Sequence, residues 1–268
     1  PIWIQGAGDL ATGVAARLWR SGFPVILSEL PQPLAIRRGA ALAEAAYTGL
    51  WTVEDLTAQR ADLAEIRDRW AAGRIPLVTD APDPAALGLR DRGVFALVDA
   101  RLAKRNLGTT PAAAPLVIGL GPGFQAPQDV HAVIETNRGH ALGRVIWAGA
   151  AEPDTGAPGE VGGETVRRVL YAPAAGRFTP QQAIGARVTL GEVVGAVATA
   201  AGEVAPVNAK LSGVLRGILH PGLDVAAGTK IGDVDPRAAR DHCFTISDKA
   251  LAIGGGVLEA VLAWLNRG

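Results

Sequence analysis

Ile2-Trp3-Ile4-Gln5-Gly6-Ala7-Gly8-Asp9-Leu10-Ala11-Thr12-Gly13 is the stretch that decides the fold. A short apolar run ends in Gly6-Ala7-Gly8, and an amphipathic stretch from Leu10 to Trp19 follows, stopping near Ser21-Gly22. Pro24 to Leu27 is the next apolar run, closed by Ser28-Glu29. Strand, glycine turn, helix and strand, with an acidic residue some twenty positions on, is the opening of a dinucleotide-binding unit in its G-x-G-x-x-A form: Gly6, Gly8 and Ala11. The glycines would admit a pyrophosphate at the helix N-terminus, and Glu29 would accept hydrogen bonds from a ribose. Asp9 opposes this, because it can cap the same amides and its charge repels a phosphate. The alternative is a tight strand–helix turn that binds nothing.

The alternation continues along the chain. Helices are expected over Leu34 to Tyr47, Gln59 to Ala72 and Pro84 to Arg92, and strands over Ile75 to Val78, Val94 to Val98 and Leu116 to Ile118. This predicts an α/β fold with a Rossmann-like, mostly parallel sheet. Ligands of such sheets sit at the strand carboxyl ends. Those ends carry Gly6 to Asp9, Glu29, Asp80, Asp99-Ala100-Arg101 and the loop Gly119-Leu120-Gly121-Pro122-Gly123. Arg101, Lys104 and Arg105 could hold an anion there, or form a solvated basic turn.

Val130 to Thr136 and Arg144 to Trp147 read as a β-hairpin around Asn137-Arg138-Gly139-His140. His131, Glu135 and His140 are the metal candidates. On a regular strand His131 and Glu135 lie about 13 Å apart, too far to chelate one ion. A helix would bring them together. No metal is expected, and a polar surface or ligand-lining role is preferred.

Residues 169 to 235 contain a duplication at an offset of 37. Gly176, Gly185, Gly191 and Gly195 match Gly213, Gly222, Gly228 and Gly232, and Ala172, Val188 and Val197 match Ala209, Val225 and Val234. Two such copies can interlock into a small β barrel. The segment resembles a barrel-sandwich hybrid, the fold of biotinyl and lipoyl carriers. The carrier lysine would fall near Gly202, and none is there, so biotin and lipoate are rejected. Three parts are therefore expected: an α/β domain over 1–168, the β-rich module over 169–235, and a C-terminal element over 236–268 packing back on the first. In the last, Gly254-Gly255-Gly256 precede an apolar helix from Val257 to Leu265, and could bind an anion at its N-terminus or simply form a turn. Cys243 is a candidate nucleophile or soft ligand, against a small buried apolar residue.

The chain has 268 residues, with 26 basic and 26 acidic side chains. The balance argues against non-specific nucleic-acid binding, which needs an excess of Lys and Arg. One cysteine excludes a disulfide framework. No apolar run approaches the length of a membrane span and no signal peptide is evident, so a cytoplasmic protein without a membrane partner is expected. The oligomeric state is left open.

Several motifs together resemble the YqeB-type accessory proteins of selenium-dependent molybdenum hydroxylases. They are Gly6 to Gly13, Asp99-Ala100-Arg101-Leu102 with Lys104-Arg105-Asn106, Gly119 to Phe124, Asp129 to Ala132, Glu135 to His140, and Ile246 to Ala250 continuing to Ala260. The resemblance implies a role in maturing enzymes that carry molybdopterin cytosine dinucleotide and labile selenium, with a hydroxylase client as partner. That dinucleotide, or NAD(P), would sit on Gly6 to Ala11. The alternatives are an NAD(P)-dependent oxidoreductase acting on selenium or sulfur species, and a non-enzymatic scaffold that docks the hydroxylase.

Overall fold

β1 (Ile2–Gln5) is buried along its whole length, and α1 (Asp9–Arg20) follows it after the glycine turn. The computed structural model describes residues 1–79, 87–154, 156 and 159–267. The chain divides into two compact units. One comprises Pro1–Pro33, Ala41–Thr155 and Ile246–Gly268; the other comprises Leu34–Ala40 and Gly156–Thr245.

The first unit continues with β2 (Val25–Ser28), α2 (Ala45–Thr48), β3 (Leu50–Val53), β4 (Leu56–Arg60), α3 (Ile66–Ala71), β5 (Ile75–Val78), β6 (Ala96–Asp99), β7 (Leu116–Leu120), β8 (Ala132–Ile134) and β9 (Val145–Ile146). Its sheet has nine strands in the order β3-β4-β5-β2-β1-β6-β7-β8-β9. The inner strands run parallel, and an antiparallel pair closes each edge, β3 with β4 and β8 with β9. Because β1 leads to β2 on one side and pairs with β6 on the other, the strand order reverses at β1. Ligand crevices form outside the carboxyl ends at such a point.

The second unit contains β10 (Val169–Tyr171), β11 (Gly176–Pro180), β12 (Arg187–Val188), β13 (Val193–Ala198), β14 (Val204–Asn208), β15 (Gly213–Ile218), β16 (Asp224–Val225) and β17 (Lys230–Asp235). These form two four-stranded antiparallel sheets, β10-β17-β15-β12 and β14-β13-β11-β16. The strands repeat at the sequence offset: β11, β12 and β13 begin 37 residues before β15, β16 and β17. A Cβ on Gly176 would lie 2.1 Å from the carbonyl oxygen of Ala198, and one on Gly213 would lie 2.4 Å from that of Asp235, its counterpart. Phe178, Val197, Leu215 and Val234 share one core.

The fold class expected from the sequence is thus corrected. In place of the expected Rossmann-like sheet with a barrel-sandwich hybrid module, the chain builds a mixed nine-stranded sheet, parallel inside and antiparallel at both edges, and two four-stranded antiparallel sheets that share one core. The first difference comes from Leu50 to Arg60, where the tight β3–β4 hairpin takes Gln59 and Arg60 out of the expected helix. Leu34 to Tyr47 is likewise not one helix: it holds short 3₁₀ turns at Arg38–Ala40 and Leu42–Glu44 before α2. Asp80, and the first part of the helix expected over 84–92, lie outside the described residues; the rest of that stretch forms turns.

The final element, α4 (Asp248–Leu265), begins well before the glycine triplet. Ser247 caps it, its hydroxyl accepting from the Ala250 amide at 3.2 Å. Gly254, Gly255 and Gly256 therefore lie within a helix and do not form an anion-binding turn. They allow close packing instead: a Cβ on Gly13 of α1 would lie 2.4 Å from the Ala250 carbonyl oxygen, and one on Gly254 would lie 2.4 Å from that of Gly13.

Candidate functional site

Gly6 has φ +93, a conformation that side chains rarely adopt, and a Cβ there would press on the Ala100 carbonyl. The turn it makes is closed by the protein itself. The Gly6 amide donates to Ser28 O at 2.7 Å, and the fully buried Ala7 donates its amide to Glu29 Oε2 at 2.8 Å. The other carboxylate oxygen of Glu29 accepts from Leu30 N at 2.8 Å. Thr12 Oγ1 accepts from Leu42 N at 2.9 Å, and Ala43 N donates to Ala7 O at 2.8 Å, so residues 41–43 roof the turn. Gly8 is the N-cap of α1, Asp9 lies in its first turn, and Ala11 is buried. These residues do not fit a dinucleotide. The ribose acceptor and a pyrophosphate donor are bonded to each other.

The basic loop is also internally committed. Buried Asp99 accepts from Arg101 Nε at 3.0 Å and from a terminal guanidinium nitrogen at 2.5 Å, and from Thr109 Oγ1 at 2.6 Å. Asn106 Oδ1 accepts from the amides of Gly108 and Thr109. Arg101 therefore organises the loop. Arg105 is exposed beside it, and its backbone meets the glycine loop: a Cβ on Gly123 would lie 2.5 Å from Arg105 N. Gly121 passes as closely under the Thr136 hydroxyl, and Gly119 under the Phe124 ring.

Between these loops lies a cavity of about 160 Å³, lined by Leu10, Leu102, Lys104, Leu120, Pro122, Thr136, Asp154 and Lys249. It sits at the carboxyl ends of β1, β6, β7 and β8, against the first turn of α4. Leu102 and Lys104, on its wall, have φ +54 and +60. Non-glycine residues pay for such backbone conformations, and they cluster at ligand clamps. Lys104 Nζ pairs with Asp154 Oδ2 at 2.7 Å. Lys249 has no hydrogen-bond or ion-pair partner among the described residues. Burial pushes its pKa down, as does Arg138, against the charges of Asp9, Glu135 and Asp248.

The metal candidates are scattered. His131 precedes β8, at the opposite edge of the sheet from the cavity; its Nδ1 accepts from Val117 N at 2.9 Å and its ring packs edge-on to Trp264. Glu135 follows β8, buried, its oxygens accepting from the amides of Asn137 and Glu152 at 2.7 Å each. His140 is exposed. Among the described residues no group of His, Cys, Asp and Glu could hold a metal ion. Cys243 is fully buried in the second unit, its Sγ 3.9 Å from Leu215 O, and burial pushes its pKa up. It is not an accessible nucleophile. Sequence reasoning missed Lys249, Thr136 and Asp154. The signal for Lys249 was Ser247-Asp248, a cap that starts α4 early and sets the lysine in its first turn.

No family model matches the chain. It is 47% identical over all 268 residues to the Escherichia coli K12 protein named "Uncharacterized protein YqeB", of which it spans 48%, about half the length. Solved structures similar to it include a succinylglutamate desuccinylase from Silicibacter, 12% identical over 87% of this chain and 84% of that one, with a TM-score of 0.27. Another is an aspartoacylase family protein from Mesorhizobium loti, 10% identical over 82% and 59%, also at 0.27. Likenesses of that size carry no activity across. The expected function is corrected by the site itself, whose glycine turn is closed by Glu29 and does not fit a dinucleotide, and the YqeB relative's name assigns no role. The maturation factor, the NAD(P)-dependent oxidoreductase and the hydroxylase-docking scaffold are all withdrawn, with their molybdenum and selenium partners. Among the described residues no helix is long and apolar enough to cross a membrane. The 47% identity supports the likeness to YqeB that the motifs suggest and carries no activity with it.

Proposed function

We propose that this chain binds a small organic acid in the cavity at the carboxyl edge of the nine-stranded sheet. The observation that carries this reading is the placement of Lys249, without a hydrogen-bond or ion-pair partner among the described residues, on the wall of a cavity of about 160 Å³ that is also lined by Leu10, Leu102, Leu120 and Pro122. A cavity of ~150 Å³ takes a ligand of benzene size, so the ligand's apolar part is a short carbon chain. Its carboxylate pairs with Lys249 and accepts from the Thr136 hydroxyl. Lys104, held by Asp154, marks the mouth and favours a second acidic group.

Calorimetric titration of the chain with mono- and dicarboxylates of about two to five carbons tests this. Saturable binding is expected, weakened about tenfold or more in Lys249→Met. Absence of saturation at about 10 mM for every acid, or equal affinity in the variant, rejects the reading.

A further inference from the structure

Arg216, in the second unit, is the extra residue of a β-bulge. β15 pairs with β17 as Leu215 with Val234 and Gly217 with Asp233, and Arg216 falls between. Bulges re-aim a side chain. This one is turned inward: the side chain is only 9% exposed, and its Nε is buried without a hydrogen-bond partner among the described residues. Asp235 Oδ2 lies 3.7 Å from that Nε, beyond hydrogen-bond reach. Asp235 is in any case engaged by Arg237. Its Oδ1 accepts from the Arg237 amide and Nε at 3.0 Å each, and its Oδ2 from a terminal nitrogen at 2.7 Å. Asp233 is bonded to Arg168. Arg37 adds its field, from a segment that packs tightly on β15; a Cβ on Gly217 would lie 2.6 Å from Ile36 O. One carboxylate is thus shared between two guanidinium groups, with a third charge nearby. A buried guanidinium left so is costly.

The duplication supplies an internal control. At the offset of 37, Arg216, Asp233, Asp235 and Arg237 correspond to Thr179, Ala196, Ala198 and Ala200. The first copy pairs β11 with β13 in continuous register, with no bulge. The same strands fold without the bulge and without the charges. The cluster is therefore not a requirement of the fold.

We propose that Arg216, with Arg237 and Arg37 beside it, is a binding site for a small oxyanion of the phosphate type, separate from the organic-acid cavity. A tetrahedral oxyanion offers the planar guanidinium the acceptor geometry it lacks here.

The test is binding of inorganic phosphate and, in a second arm, of glycerol phosphate to the full chain, read by calorimetry and by the shift in thermal unfolding. Saturable binding of either is expected, with about a tenfold or greater loss in Arg216→Met and a smaller loss in Arg216→Lys. The tighter arm shows whether the site serves the free anion or a phosphate ester. Lys249→Met should bind as the parent does, which separates this site from the cavity. In phosphate-free buffer Arg216→Met should melt no lower than the parent, since it removes a buried charge whose counter-ion Asp235 is already held by Arg237. The proposal is overturned if neither anion binds at about 10 mM, or if both arginine variants bind as the parent does.

Discussion

The carboxylate of Glu29 accepts the amide of Ala7 at 2.8 Å across the edge of the sheet, fastening the end of β2 to the glycine turn that follows β1. The sequence pattern that suggests a ribose acceptor is here a structural clasp. Glu29→Ala removes the acceptor of two backbone amides and should cost about 2–4 kcal/mol in urea unfolding. Burial pushes the Glu29 pKa above its ordinary 4.5. Between 4.5 and that raised value the folded state binds more protons than the unfolded one, so this residue's contribution falls as pH rises through the window. Glu29→Gln cannot titrate, and its stability should vary less with pH there than the parent's. An identical pH dependence in the two proteins would contradict the assignment.

Gly13 and Gly254 bring α1 and α4 into backbone contact, whereas a Cβ on Gly255 meets nothing within 4 Å. The three substitutions to alanine should therefore separate. Alanine is the better helix former by about 1 kcal/mol, and Gly255→Ala should gain up to that amount. Gly13→Ala and Gly254→Ala must push the helices apart and should lose about 1–3 kcal/mol despite the same propensity gain. Thermal melts of the three variants decide this, and a stabilised Gly254→Ala would show that the helices do not pack as described.

The same glycines show what was legible in the sequence. Gly6 could be read as a turn because its conformation is a local requirement. The duplication could be read because glycine spacing survives in both copies. The α4 glycines were misread as a break, since their compensation is a partner helix over two hundred residues away. The β3–β4 hairpin was missed because its turn, Glu54-Asp55, lacks the usual Asn-Gly or Asp-Gly signal, and Glu54 itself takes φ +54. In the candidate site the loops were legible but their partners were not. Nothing local to Arg101 shows that Asp99 claims it, and nothing local to Lys249 shows that it is left without a partner.

Asp99 is 2% exposed and holds both Arg101 and Thr109. Asp99→Asn removes the counter-charge of the half-buried Arg101 guanidinium, and should cost about 1–3 kcal/mol. Thr109→Val removes one hydrogen bond to the carboxylate and should cost about 1–3 kcal/mol. Because both act on the loop that carries Leu102 and Lys104, both should also weaken organic-acid binding. Denaturant unfolding and titration on the same preparations test the two effects together. Full binding in Asp99→Asn would uncouple the loop from the cavity.

Lys249 gives a pH signature opposite to that of Glu29. Its pKa is lowered from 10.5 by burial. Between the lowered value and 10.5 the unfolded state binds more protons, so its contribution to stability rises with pH. Lys249→Met should flatten that rise. A carboxylate bound beside the ammonium restores the charged form, so binding in this window should take up protons. Titrations in buffers of different ionisation enthalpy measure that uptake, and its absence would place the acid away from Lys249.

Cys243 has no exposed surface, and burial raises its thiol pKa. The thiolate is the reactive form, so two independent factors oppose alkylation of the folded protein. Iodoacetamide should label it only through opening of the second unit, at a rate that rises steeply with urea below the main transition. A phosphate ion held at Arg216 stabilises the folded form and should slow that labelling, whereas an acid in the first unit's cavity acts on it only through global unfolding. Rapid, urea-independent labelling would show that the thiol is open to solvent, and would return Cys243 to the set of reactive candidates.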